Sequence, residues 1–194
     1  NYYSKLESIE LAKARGIFPY FNKSFYTEGE MPFAAYYERK SWNFDWSEVA
    51  QEIKKFGLRN SLTTTIAPSG TISMIAGTSS GIEPVYSLVF QKNTPIGSFY
   101  YVDPVFEEQM SREGLFDDVL VKDVVAGRGS IQKINYIPSK FKKYFLSAYD
   151  VSPDDHIYVL AAFSKWVDNA ISKTNNLPSF STTADVEKSY LLAY

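Results

Sequence analysis

The sequence predicts a helix-rich α/β fold, and three observations carry that reading. Apolar residues recur at helical spacing along the chain, short β-branched runs interrupt them, and Gly or Pro stands at most of the junctions. Helices alternating with short strands fit an α/β or α+β class. With 194 residues, 45% of them hydrophobic and 22% charged, the chain is long enough for one domain with a real core. Residues 1–194 read as a single segment.

The first helix is predicted over Ser4 to Ala14, with Leu6, Ile9 and Ala12 on one face and Gly16 as its stop. Ile17 to Pro32 reads as irregular. Asp45 followed by Glu48 has the spacing of a capping box, and Val49, Ile53 and Phe56 continue as an apolar stripe that ends at Gly57. Leu62 to Ala67 is rich in β-branched residues and reads as a buried strand. Pro68-Ser69-Gly70-Thr71 breaks it, and Ile72 to Ala76 forms a short helix closed by Gly77. Val85 to Gln91 and Ser98 to Val102 read as strands.

The second half is mostly helical. Pro104 to Glu113 and Phe116 to Val125 are predicted helices. Ser139 to Tyr149 is a third, with Phe141, Tyr144, Phe145 and Ala148 on one side. Ser152-Pro153-Asp154-Asp155 has the signature of a helix start. Ile157, Leu160, Phe163, Val167 and Ala170 then keep helical spacing, which predicts a deeply buried helix to about Ser172. Lys173 to Leu177 reads as a short strand stopped by Pro178. The last helix starts near Thr183, and no Gly, Asn or Pro follows Val186, Tyr190 and Tyr194, a pattern expected of a protein that continues.

Composition narrows the function classes. A net charge of −2 argues against a broad nucleic-acid-binding face. The basic run Lys133 to Lys143 reads as a solvated face. No apolar run approaches the roughly 18 residues of a membrane helix, and the first residues lack a leader pattern, so neither nucleic acid nor membrane is an expected partner and a cytoplasmic location is. There is no cysteine, which excludes disulfides and thiolate chemistry within these residues, and the single histidine, His156, excludes a multi-histidine metal site. Fifteen Tyr, 14 Phe and 3 Trp imply large buried surfaces, or surfaces that another part of a larger protein covers.

The segment Thr63 to Pro84, TTTIAPSGTISMIAGTSSGIEP, is the most informative. It reads as strand, glycine-containing loop and helix N-terminus, an arrangement that offers backbone N–H groups to an anion. Gly70 permits close approach, and Ser69, Thr71 and Ser73 add hydroxyls. No Lys follows the glycine, so this is no Walker A loop. From the residues alone, an ordinary strand-to-helix turn with capping hydroxyls remains open beside the anion site.

Gly57-Leu58-Arg59-Asn60-Ser61, Ala67-Pro68-Ser69-Gly70-Thr71-Ile72-Ser73 and Gly77-Thr78-Ser79-Ser80-Gly81-Ile82-Glu83-Pro84 together resemble ribonucleotide reductase large subunits. A second series agrees in order and spacing: His156, Ala161-Ala162-Phe163, Asp168 to Asn175, and Asp185 to Tyr190. Leu11 to Gly16 fits the family's upstream helix. The Pro-Ser-Gly-Thr-Ile-Ser version is most similar to the adenosylcobalamin-dependent class. The resemblance implies the later part of a ten-stranded α/β barrel. It implies that Pro68, Ser69, Gly70, Thr71, Ile72 and Ser73 bind the phosphates of a ribonucleotide substrate. It also implies a parent enzyme that reduces ribonucleotides by radical chemistry with adenosylcobalamin.

The family's radical and reducing cysteines have no counterpart in these residues, so the segment alone is expected to be inactive and to bind no cofactor by itself. Its expected partners are the ribonucleotide, the remainder of the reductase polypeptide and a second copy of the segment. A degenerate reductase-like binding or structural protein is the alternative. Three further residues keep plain structural readings. His156 is structural or solvent-facing, Lys173 is a cation at a helix C-terminus, and Arg59 has a structural role ahead of phosphate pairing. Glu83 is not equated with the family's catalytic glutamate.

Overall fold

The structure, a computed structural model, describes residues 1–194, the side chain of Thr94 excepted. The helices are α1 (Tyr2–Arg15), α2 (Trp46–Phe56), α3 (Gly70–Ala76), α4 (Pro104–Arg112), α5 (Asp118–Ala126), α6 (Ser139–Lys142), α7 (Pro153–Ser164) and α8 (Thr183–Ala193). Two strands, β1 (Val89–Thr94) and β2 (Gly97–Val102), pair antiparallel with Val89 opposite Val102. The chain divides into two compact units, Asn1–Ala67 with Val159–Ser172, and Pro68–Tyr158 with Lys173–Tyr194.

The first unit is held by an aromatic core. Trp46, Tyr26 and Phe33 are fully buried with Val49, Ile53 and Leu58. The α2 stripe forms as its spacing predicts, and Asp45 caps the helix by accepting from the N–H groups of Ser47 at 3.0 Å and Glu48 at 3.1 Å. Residues 17–41 pass through short 3₁₀ turns, in line with their irregular pattern.

Two expectations fail in this unit for the same reason. Leu62 to Ala67 is not a ladder strand, and Leu62 is 42% exposed. The run lies extended beside residues 168–172, but one parallel bridge, Ile66 with Ile171, is its sole strand pairing among the described residues. The Asn169 N–H donates to the Thr64 carbonyl at 3.1 Å and the Ser172 N–H to the Ile66 carbonyl at 2.9 Å, and side chains supply the other bonds. Thr64 Oγ1 accepts from the Asp168 N–H, Thr65 Oγ1 donates to the Ala170 carbonyl, and the Asp168 carboxylate accepts from the Thr63 N–H. The helix expected to reach Ser172 stops at Ser164. Ser164 Oγ bonds back to the Leu160 carbonyl, and the Lys165 carbonyl accepts from the Ala35 N–H. Asp168 is then drawn into a buried ion pair. Tertiary polar contacts override apolar periodicity here, and Val159 and Phe163 stay exposed at 38% and 48%.

The second unit packs the hairpin with α4, α5 and α6. Leu88, Phe106, Met110, Leu120, Val124 and Ile131 are buried to 1% exposure or less. Asp103 and Asp117 cap α4 and α5 with their carboxylates. Gly129, at φ 84°, passes so close to Ser87 that a Cβ would collide with that side chain. The first predicted strand of the pair lies a few residues later than expected, at Val89–Thr94. The helix expected over Ser139 to Tyr149 lasts only to Lys142, because the Ser147 N–H and hydroxyl both bond Asp150 and the Ala148 N–H bonds the Val85 carbonyl. Tyr144, expected on its packed face, is 81% exposed. Lys173 to Leu177 is extended but pairs with no strand among the described residues. At α8, Thr182 and Asp185 form a capping box.

Candidate functional site

The loop Pro68 to Ser73 leads directly into α3. Ser69 stands at the N-cap with φ −91° and ψ 42°. The Ser73 N–H closes the first helical turn on the Ser69 carbonyl at 2.8 Å, and the Ser73 hydroxyl donates to the Gly70 carbonyl at 2.7 Å. Ser73 is therefore buried and committed to the turn. The N–H groups of Gly70, Thr71 and Ile72 find no acceptor among the described residues, as the first turn of a helix dictates. Gly70 has no positive φ, and a Cβ there would meet nothing within 4 Å. Its own fold does not require glycine at this position, while a ligand approaching the backbone would benefit from it.

The Ser69 hydroxyl accepts from the Gly81 N–H at 3.0 Å and keeps its own proton free to donate. The loop after α3 is thus tied to the N-cap. Gly77 ends α3 in the left-handed region, and the Thr78 N–H returns to the Ser73 carbonyl. Ile72, Met74 and Ile75 are exposed at 71%, 52% and 84%, so α3 presents an apolar surface beside polar backbone groups.

Three residues set aside as structural or unassigned meet in the second unit. His156 is 1% exposed. Its Nε2 lies 2.9 Å from the Ala148 carbonyl and its Nδ1 lies 2.9 Å from Lys173 Nζ. A carbonyl only accepts and an ammonium only donates, so the imidazole is neutral with its proton on Nε2. Burial pushes the His156 pKa below its ordinary value against the pull of the Ala148 carbonyl, and the Lys173 charge pushes the same way. Burial likewise lowers Lys173, opposed by the charge of Glu83. Glu83 Oε1 accepts from the Thr174 N–H at 2.6 Å. Lys173 is therefore not a helix-terminal cation, since α7 ends well before it. The solvent-facing reading of His156 is excluded, and the structural one holds. A lone histidine and a lone lysine, 17 positions apart, carry no spacing signal that could have paired them.

The first unit contains a second polar centre. Lys5 Nζ pairs with Asp168 Oδ2 at 2.5 Å, and both side chains are inaccessible to solvent. Asp168 also accepts from the Thr63 N–H, the Thr63 hydroxyl and Asn1 Nδ2, and Lys5 also donates to the Tyr26 hydroxyl. Burial opposes the Asp168 charge, but the bonds from Lys5 and Thr63 outweigh it and hold the pKa below the ordinary carboxylate value. Arg59 follows its structural reading, donating to the Gly16 carbonyl at 3.4 Å.

A cavity of about 770 Å³ in the second unit is lined by Asp123, Arg128, Tyr136, Asp150 and Phe180, among others, and by none of residues 68–73. Its acids are engaged: Tyr136 donates to Asp123 at 2.8 Å and Ser130 to Asp150 at 2.7 Å. Burial, aided by that bond, pushes Tyr136 up to about 12. In the basic run, Lys140 pairs with Glu113 and Lys142 donates to the Gln132 carbonyl, in keeping with a solvated face. No group of three His, Cys, Asp or Glu able to hold a metal occurs among the described residues, and both nitrogens of His156 are engaged. No described helix is long and apolar enough to cross a membrane.

Comparison with known proteins agrees with the motifs. The chain is 37% identical over 149 residues to a vitamin B12-dependent ribonucleoside-diphosphate reductase of Thermoplasma acidophilum, covering 76% of this chain and 19% of that protein. It is 35% identical over 136 residues to a protein of the same description from Mycobacterium tuberculosis, covering 70% and 20%. It is 32% identical over 183 residues to the ribonucleoside-diphosphate reductase subunit alpha of Chlamydia pneumoniae, covering 88% and 18%. The chain thus spans about a fifth of the length of these curated relatives. The family model described as ribonucleotide reductase, barrel domain, matches residues 1–194, and the chain belongs to that family.

Proposed function

We propose that this chain is part of the catalytic subunit of a ribonucleotide reductase and supplies the loop that holds the substrate's phosphates. The loop comprises Pro68, Ser69, Gly70, Thr71, Ile72 and Ser73. The observation that carries the reading is the open first turn of α3, where three N–H groups lack acceptors among the described residues, beside a glycine to whose Cβ none of those residues comes within 4 Å. The N–H groups of Gly70, Thr71 and Ile72 and the hydroxyls of Ser69 and Thr71 are the donors. Ser73 braces the turn, and Pro68 leads into it.

The parent enzyme converts ribonucleotides to deoxyribonucleotides in a ten-stranded α/β barrel to which residues 1–194 contribute as one segment. The relatives described as vitamin B12-dependent support adenosylcobalamin as its cofactor. In this reading the segment alone binds none of it, and the intact polypeptide holds the cofactor. With no cysteine to carry a radical or reduce a product, the 194 residues alone are catalytically silent. Ile72, Ile75, Ile96, Phe180 and Leu191 are more than two-thirds exposed, which supports cover by the rest of the barrel or, in isolation, by a second copy. A cytoplasmic location belongs to the same reading.

Calorimetric titration of the purified chain with ADP and with adenosine tests it. Binding of ADP at about millimolar affinity, with none for adenosine, is expected, because a few charge-assisted bonds without base contacts give no more. Equal binding of both would contradict a phosphate site. Supplying adenosylcobalamin, a dithiol and ribonucleotides should yield no deoxyribonucleotide.

A further inference from the structure

Hydrogen bonds join residues 83–85, 148, 156 and 173–174 into a closed circuit. Beginning after α3, the Val85 carbonyl accepts from the Ala148 N–H at 2.9 Å. The Ala148 carbonyl accepts from His156 Nε2, His156 Nδ1 accepts from Lys173, and Lys173 also donates to the Thr174 carbonyl. The Thr174 N–H returns to the Glu83 carboxylate. Val85 and Glu83 are two residues apart, so the circuit closes on the stretch that follows Gly81. Gly81 in turn donates to the Ser69 hydroxyl, and a Ser80-to-Glu83 turn links the two.

We infer that His156 and Lys173 are positioning residues for the phosphate loop, acting through Glu83 and Gly81 on Ser69. This rests on the reading of Pro68 to Ser73 as a phosphate site. Each member has a defined role. The Ala148 carbonyl fixes the histidine tautomer, and that tautomer turns a lone pair toward Lys173. The ammonium then sits between His156 and the Thr174 carbonyl, where its charge also attracts Glu83. With Glu83 and Val85 both held, the Gly81 N–H stays under the Ser69 oxygen, and the Ser69 proton points away from it. Protonation of His156 would remove the acceptor and set an imidazolium against an ammonium, so the circuit belongs to the neutral ring. Lys173, Glu83 and Asp155 are the charged groups that act on His156.

The test uses the whole chain and Lys173→Met, Lys173→Arg and His156→Gln variants. Two readouts are amide hydrogen exchange at Gly81 and inorganic pyrophosphate titration read at the Gly70 to Ser73 amides. Lys173→Met should speed exchange at Gly81 by about tenfold with the Gly97–Val102 strand unchanged, and should weaken pyrophosphate about fivefold. Lys173→Arg should restore most of both. In a pH series from 7.5 downward through the titration of the folded His156, the wild type should lose pyrophosphate affinity more steeply than His156→Gln, the probe's own titration being common to both. Unchanged Gly81 exchange in Lys173→Met, or parallel pH profiles, would overturn the inference. Faster Gly81 exchange in a protein whose wild type shows no pyrophosphate shift at Gly70 to Ser73 would support the positioning link and overturn the phosphate site instead. If Lys173→Met loses the hairpin as well, the pH comparison with His156→Gln decides.

Discussion

The buried ion pair of Lys5 with Asp168 and the α3 loop put polar groups to opposite ends. Lys5 and Asp168 are sealed from solvent, and the Asp168 carboxylate collects bonds from Lys5, Thr63 and Asn1. Both charges of the pair are met inside the fold, although the Asn1 side-chain oxygen beside it has no partner among the described residues. The α3 loop is the reverse: Gly70, Thr71 and Ile72 leave their N–H groups open, and the glycine leaves space before them. The circuit through His156 is intermediate, buried at the ring and exposed at Thr174. Saturated polar groups hold a fold, and unsaturated ones at a surface are open to water or to a ligand.

The contrast breaks first at Asp168. Asp168→Asn should leave Lys5 buried without its counter-charge and cost about 3 kcal/mol by urea denaturation. A cost below about 1 kcal/mol would mean that the pair is not sealed as described. Gly70→Val should do the opposite. With no positive φ and no neighbour to strike, it should change stability by less than about 1 kcal/mol while abolishing ADP binding. A large loss of stability there would show that glycine serves the fold and not a ligand.

The His156 circuit and the ion pair also differ in how they answer to pH. The folded state holds His156 below its ordinary pKa of 6.5, so the unfolded chain binds that proton more readily. The associated stability is present above the unfolded value and is lost as pH falls toward the folded one. Asp168 is depressed below its ordinary 3.8, so its contribution survives that range and is lost only at more acid pH. Urea midpoints at pH 7.5 and 5.5 should therefore fall more for wild type than for His156→Gln, by an amount Asp168 does not share. Equal falls would place the titration elsewhere. The smallest effect is expected at Asp103, whose carboxylate accepts from the Val105 and Phe106 N–H groups. Asp103→Ala should cost about 1 kcal/mol as an ordinary lost cap, without touching ADP binding.

What the sequence disclosed follows the same division. Local signals were legible: Asp45 before α2, Gly77 after α3, Pro104 opening α4, and the loop motif itself. Apolar spacing over Ile157 to Ala170 was legible as a pattern but misleading as an element. It does not record that Asp168 is needed at Lys5, or that Val159 and Phe163 stay exposed. The β-branched run at Leu62 to Ala67 suggested a ladder strand, and there threonine hydroxyls share the bonding with backbone bonds from Asn169 and Ser172. The circuit was invisible because each member is unremarkable alone, and only the fold brings Glu83, Ala148, His156 and Lys173 together.

An amide-shift titration with a nucleoside diphosphate tests most directly whether the Pro68 to Ser73 loop cradles phosphate. Shifts clustered on Gly70 to Ser73, and abolished in Gly70→Val, are the predicted result. Shifts centred on the Lys140 to Lys143 face, or unaffected by Gly70→Val, would contradict it.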